Sequence, residues 1–101
     1  MARTMPESRL QSRIRRALHR QFPGCRFYKM HGNEFMESGI PDLIGVVEGH
    51  FFALEVKHPD TGHGVTPIQQ AQLDRLEEAG ATVAVVESVD EAIAVVTDAL
   101  H

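Results

Sequence analysis

The sequence predicts an α/β domain with element order αβββαβα, in two or three layers, and three observations lead there. Apolar residues recur at spacings of three and four at both ends of the chain. Between them lie two β-rich runs separated by a Gly-containing turn. A nearly continuous apolar run, 81–86, then follows a second helical stretch, as a buried strand does. With 101 residues, 43% hydrophobic and 24% charged, the chain is long enough for one compact core, so residues 1–101 are read as a single domain.

The first helix spans 5–21, where Leu10, Ile14, Ala17 and Leu18 form the apolar stripe. Thr4, three positions before Glu7, fits a capping box, and Pro23-Gly24 closes the segment. Residues 26–30 read as a short strand and 31–39 as a polar loop. The runs 42–47 and 51–57 flank Glu48-Gly49-His50 and read as a hairpin. Residues 58–65, with Pro59, Gly62 and Gly64, form a loop. Thr66-Pro67-Ile68-Gln69 is a second capping box, opening a helix that ends at Gly80. After the strand at 81–86, Ser88 and Glu91 frame a last helix reaching about Leu100. The six aromatic residues, Phe51 and Phe52 among them, read mainly as core.

Composition excludes several classes. No apolar run approaches the roughly 18 residues of a membrane span, and the N-terminus lacks the apolar centre of a signal peptide, so a cytosolic protein is expected. One cysteine, Cys25, excludes an internal disulfide or a cysteine-cluster zinc site, leaving oxygen or histidine to hold any metal. The net charge of −4 is unevenly spread. Residues 1–30 hold eight of the ten Lys and Arg and one acid, Glu7, whereas the remainder holds two bases and thirteen acids. One basic surface for phosphate and another that gathers carboxylates is the functional reading, and a solvated helix the plain one.

Strand alternation puts Glu55 and Lys57 on one face and Leu54 and Val56 on the other. A two-residue Glu48-Gly49 turn pairs residues whose indices sum to 97 and sets Asp42 opposite Glu55. A turn at Gly49-His50 sets Asp42 opposite Lys57. A three-residue loop without a bulge turns Asp42 away. Two carboxylates beside an ammonium supply hard oxygen ligands for Mg2+ or Mn2+, whose charge acidifies water and neutralises a phosphoryl group. Glu-x-Lys in a strand is also an ordinary surface ion pair.

Taken together, Gly39-Ile40-Pro41-Asp42-Leu43-Ile44-Gly45, Leu54-Glu55-Val56-Lys57-His58-Pro59, Thr66-Pro67-Ile68-Gln69 and Ala79-Gly80-Ala81 resemble the VRR-NUC nucleases of the PD-(D/E)XK superfamily over nearly the whole chain. The resemblance implies a restriction-endonuclease-like αβββαβ core, with a mixed sheet and a C-terminal helix. It implies Asp42, Glu55 and Lys57 as a catalytic trio, Glu7 as a further holder of metal or its water, and Gln69 completing the site. Both Glu7 and Gln69 also fit their capping boxes, and Gln11, one turn beyond Glu7, fits the site or solvent. His31, His58 and His63 flank the expected cleft without an assigned role; relatives often carry a basic residue near position 63.

The expected activity is metal-dependent hydrolysis of DNA phosphodiesters with Mg2+ or Mn2+ as cofactor. Arg9, Arg13, Arg16, Arg20, Arg26 and Lys29 are the candidates for phosphate contacts. A homodimer follows from the need to reach both strands with one site per chain. A branched, Holliday-junction-like DNA substrate and a bacterial or phage-infected cell are implied by the resemblance alone, with flap cutting or nicking open. Two rivals use the same residues differently: a non-catalytic nucleic-acid-binding module, and an interaction domain whose acidic half binds a basic protein.

Overall fold

A computed structural model describes residues 6–32, 36–60 and 64–101. Its elements are α1 (Glu7–Gln21), β1 (Arg26–Lys29), β2 (Leu43–Val47), β3 (His50–Val56), α2 (Pro67–Glu78), β4 (Thr82–Val86) and α3 (Val89–Ala99), in the expected order. The strands form one sheet in the order β1-β2-β3-β4. β1, β2 and β3 run antiparallel, while β4 lies parallel to β3. A parallel return needs a long crossover, and the segment carrying α2 provides it.

The register is the one that a two-residue turn dictates: Leu43 faces Leu54 and Val47 faces His50. Glu48 and Gly49 both have positive φ, 49° and 82°, the paired left-handed geometry of a type I′ turn, whose twist suits a hairpin. On one face of the sheet Phe27, Leu43, Phe52, Leu54, Val56 and Val86 pack against Leu10, Ile14 and Leu18 of α1 and Ala92 and Val96 of α3. On the other face Ala53 of β3 and Leu73 of α2 are buried outside that cluster. The architecture is therefore three-layered.

Three sequence expectations need correction. The helix expected over 5–21 starts at Glu7, with Pro6 as its N-cap and no side-chain cap, so Glu7 is the first helical residue and not the third of a capping box; Thr4 lies outside the described residues. Asp42 and Lys57 each sit one residue beyond the strand that was expected to include them. Phe51 is 38% exposed and Tyr28 58%, because α2 leaves part of its face of the sheet uncovered; Phe27 and Phe52 are core.

β1 is an outer strand, and its outward backbone groups are closed by the helix behind it. Arg15 Nε donates to the Phe27 carbonyl at 2.7 Å, and Phe27 N–H donates to His19 Nε2 at 3.1 Å. At Phe27 the outer edge of β1 is thus occupied by side chains of α1.

Candidate active site

Asp42 ends its loop directly before β2, and the hairpin register carried one step further sets it opposite Glu55. Its backbone carbonyl accepts Met30 N–H at 2.7 Å, which continues the pairing with β1. Its Oδ2 accepts Val56 N–H at 2.8 Å, so the side chain satisfies a backbone donor at the strand's end. One contact thus holds the Asp42 carboxylate and the other its backbone.

Glu55 lies in the centre of the sheet and is 1% exposed. Burial above all, then a hydrogen bond shared with the Asp42 carboxyl and the charge of Asp42, push its pKa up to about 9; Lys57 pulls down and Glu7 adds to the rise. Asp42, Lys57 and Glu7 therefore all lie within electrostatic reach of Glu55. Glu55 Oε2 and Glu7 Oε1 are both buried without a hydrogen-bond partner. A buried polar oxygen without a partner is costly, and each of these could be satisfied by a bound group.

That is the fit expected of a divalent cation: Asp42, Glu55 and Glu7 present hard oxygen donors, two of them with an unpartnered oxygen. Among the described residues, no three His, Cys, Asp or Glu side chains form a ready-made cage. Mg2+ commonly takes one or two carboxylates and leaves its other positions to water and phosphate, so a partial donor set suits it. Lys57, half-buried, is tied by its backbone N–H to the Val86 carbonyl at 3.0 Å.

Gln69 closes the capping box expected of it. Its Oε1 accepts Thr66 N–H at 3.0 Å and its own N–H donates to Thr66 Oγ1 at 3.2 Å, a complete capping box. It also lines, with Asp42, Met30, Ser38 and Ile40, a cavity of about 460 Å3. The loop entering Asp42 is held against α2. Gln72 Nε2 donates to the Ser38 carbonyl at 3.2 Å, and Gly39, at φ 81°, lies so close to Ile68 that an added Cβ would stand 2.9 Å from its backbone. The sequence singled out Gln69 but not Gln72, whose place four residues from both Ile68 and Leu76 on one helix face was the available signal.

The phosphate-binding candidates do not all converge on this site. Arg13, Arg16 and Arg20 line a groove of about 550 Å3 between α1 and the start of α3, together with Glu87 and Asp90. Arg9 and Arg26 are exposed. The Lys29 ammonium is spent in part on α1, donating to the Ser8 carbonyl at 3.0 Å and Ser12 Oγ at 3.3 Å. Gln11 is half-buried and His31 exposed, while His58 is buried, its Nδ1 accepting Asp60 N–H at 3.1 Å. His63 lies outside the described residues.

Comparison with solved structures decides the fold. A structure described as a VRR_NUC domain protein superposes with a TM-score of 0.74 at 23% identity, covering 94% of this chain and 88% of its own. A second, described as a VRR_NUC domain, gives 0.64 at 24% identity, covering 86% and 94%. The chain has the VRR-NUC fold. No family model and no curated protein sequence matches it. The restriction-endonuclease-like α/β architecture and mixed sheet expected from the motifs are those of the VRR-NUC fold. Among the described residues no helix is long and apolar enough to cross a membrane.

Proposed function

We propose that this chain is a metal-dependent DNA endonuclease that acts as a homodimer on branched DNA. The observation that carries the reading is the pairing of Asp42 with a fully buried Glu55, next to unpartnered oxygens on Glu55 and Glu7. Nothing in a merely structural sheet rewards carboxyl groups so placed. The likeness to VRR_NUC domain structures supports the same reading through the fold.

Asp42, Glu55 and Glu7 would hold Mg2+ or Mn2+, which when bound supplies Lewis acidity toward a phosphoryl oxygen and lowers the pKa of water. The chain's own residues do the rest. Val56 N–H keeps the Asp42 carboxylate aimed, and Met30 N–H holds the Asp42 backbone. Lys57, beside Glu55, stabilises negative charge gathering on the phosphoryl oxygens during in-line attack. Gln69, fixed by the capping box, bounds the cavity next to Asp42 and orients the strand entering it. The exposed arginines of α1 and Arg26 contribute phosphate contacts without base readout. One site per small chain reaches one strand, and a two-fold pair of copies would address both.

The test is incubation of the purified chain with labelled linear duplex, flap and four-way-junction DNA, in Mg2+, Mn2+ or EDTA, beside Lys57→Ala. Cutting that needs metal, favours the junction and is lost in the variant is the expected result. Salt-sensitive binding without cutting on any substrate would instead identify a binding module.

A further inference from the structure

The face of the sheet that carries Asp42 and Glu55 is only half covered. α2 packs against β4; Gln69 at its start lines one cavity with Asp42, and Leu76, together with Ala79 just beyond its end, lines another with Phe51 and Thr82. The β1–β2 half stays open, with Tyr28 58% and Val46 44% exposed. Tyr28 pairs with Ile44 and Arg26 with Val46, so Arg26, Tyr28, Ile44 and Val46 point to the same side as Asp42. Successive rows on one face lie about 7 Å apart, which puts the Tyr28–Ile44 row next to the carboxylate row.

We propose that this open strip is a platform for an unpaired nucleotide of the nucleic-acid substrate, its base stacked on the Tyr28 ring and its backbone met by Arg26. The proposal rests on the nuclease reading and deepens it. Paired bases within a duplex offer edges but no ring faces, so an exposed aromatic ring beside the scissile position rewards a strand that is unpaired there. A protein occupant is disfavoured on two grounds. On the neighbouring edge of β1 Arg15 and His19 already occupy both backbone groups of Phe27, which disfavours strand addition there. A second copy seated over Tyr28 and Ile44 would also stand in the way of Asp42, one row further on.

The chain contains one tyrosine and no tryptophan, so its intrinsic emission reports Tyr28 alone. In EDTA, titration with an oligothymidylate should quench that emission saturably, whereas a blunt hairpin duplex at equal occupancy, followed by anisotropy of a labelled strand, should not. Tyr28→Ala should weaken oligothymidylate binding about tenfold and leave duplex binding unchanged, while Tyr28→Phe keeps both within about twofold. No quenching at saturation, or an equal loss of duplex affinity in Tyr28→Ala, overturns the proposal. So does a dimer that dissociates in sedimentation equilibrium on Tyr28→Ala, which would assign the strip to a second copy. Because these measurements exclude metal, quenching without cutting would sink the nuclease reading alone, and metal-dependent cutting without quenching would sink the platform alone.

Discussion

A carboxyl group as enclosed as Glu55 binds its proton far more tightly in the folded chain than in the unfolded one, and that difference has a measurable consequence. Its pKa moves from 4.5 to about 9, chiefly through burial and then through Asp42. Between those values the folded state holds a proton that the unfolded state has released, so metal-free stability falls as pH rises from about 4.5 to 9 and is level below that window. Thermal unfolding in EDTA across pH 5 to 9 should show the decline, and Glu55→Gln, neutral throughout, should flatten it while abolishing cutting. Added Mn2+ should raise the melting temperature most at the alkaline end, where the carboxylate is free to bind it. A flat profile for the unsubstituted chain would show that Glu55 is ionised with its charge already balanced.

At the scale of elements, the hairpin and the first strand carry the site. Glu48 occupies a left-handed position that costs a side-chain-bearing residue roughly 1 kcal/mol, more than Asn pays. Glu48→Asn should therefore stabilise the fold by up to about 1 kcal/mol in denaturant titration and leave activity unchanged, since the register is retained. Gly39→Ala meets both an unfavourable φ and the Ile68 backbone; a loss of about 2 kcal/mol or more is expected, with the loop before Asp42 displaced and cutting reduced. The closed edge of β1 is sensitive to acid. Burial and the neighbouring Arg15 and Arg26 lower the His19 pKa, so the unfolded state takes up its proton first and stability falls as pH drops below 6.5. Amide exchange at Phe27 should accelerate over that range relative to its neighbours in β1, and His19→Ala should show the faster exchange at every pH. These features differ in how far the sequence revealed them. The hairpin was legible and its turn was narrowed to three readings, of which the structure selects Glu48-Gly49 and with it the meeting of Asp42 and Glu55, because alternation and turn length together leave few registers. The exposure of Phe51 and Tyr28 was not legible: Phe51-Phe52-Ala53-Leu54 is apolar at every position, and its pattern cannot say how far a covering helix extends. The closing of the β1 edge by Arg15 and His19 depended on a helix-to-strand distance that no local pattern encodes.

Across the whole molecule, the division of charge read from the sequence survives in space only in part. Arg13, Arg16 and Arg20 share their groove with Glu87 and Asp90 at the start of α3, so the basic helix meets the acidic half of the chain along one flank. A phosphate entering that groove meets carboxylates as well as guanidinium groups, and the net field there is weaker than the arginine count suggests. Arg9, near the end of α1 that carries Glu7, and Arg26, on the open face beside Tyr28, are exposed and do not line that groove. They should therefore dominate the electrostatic share of DNA binding. Measured by anisotropy between about 50 and 200 mM salt, Arg9→Ala and Arg26→Ala should each lower the slope of log affinity against log salt by close to one, the signature of one lost phosphate contact. Arg16→Ala and Arg20→Ala should change it less, and none of the four should alter preference among duplex sequences. If the groove variants cause the larger loss of slope, the nucleic acid crosses the α1–α3 side of the molecule, behind the sheet, and the path from Arg26 past Tyr28 to Asp42 is wrong.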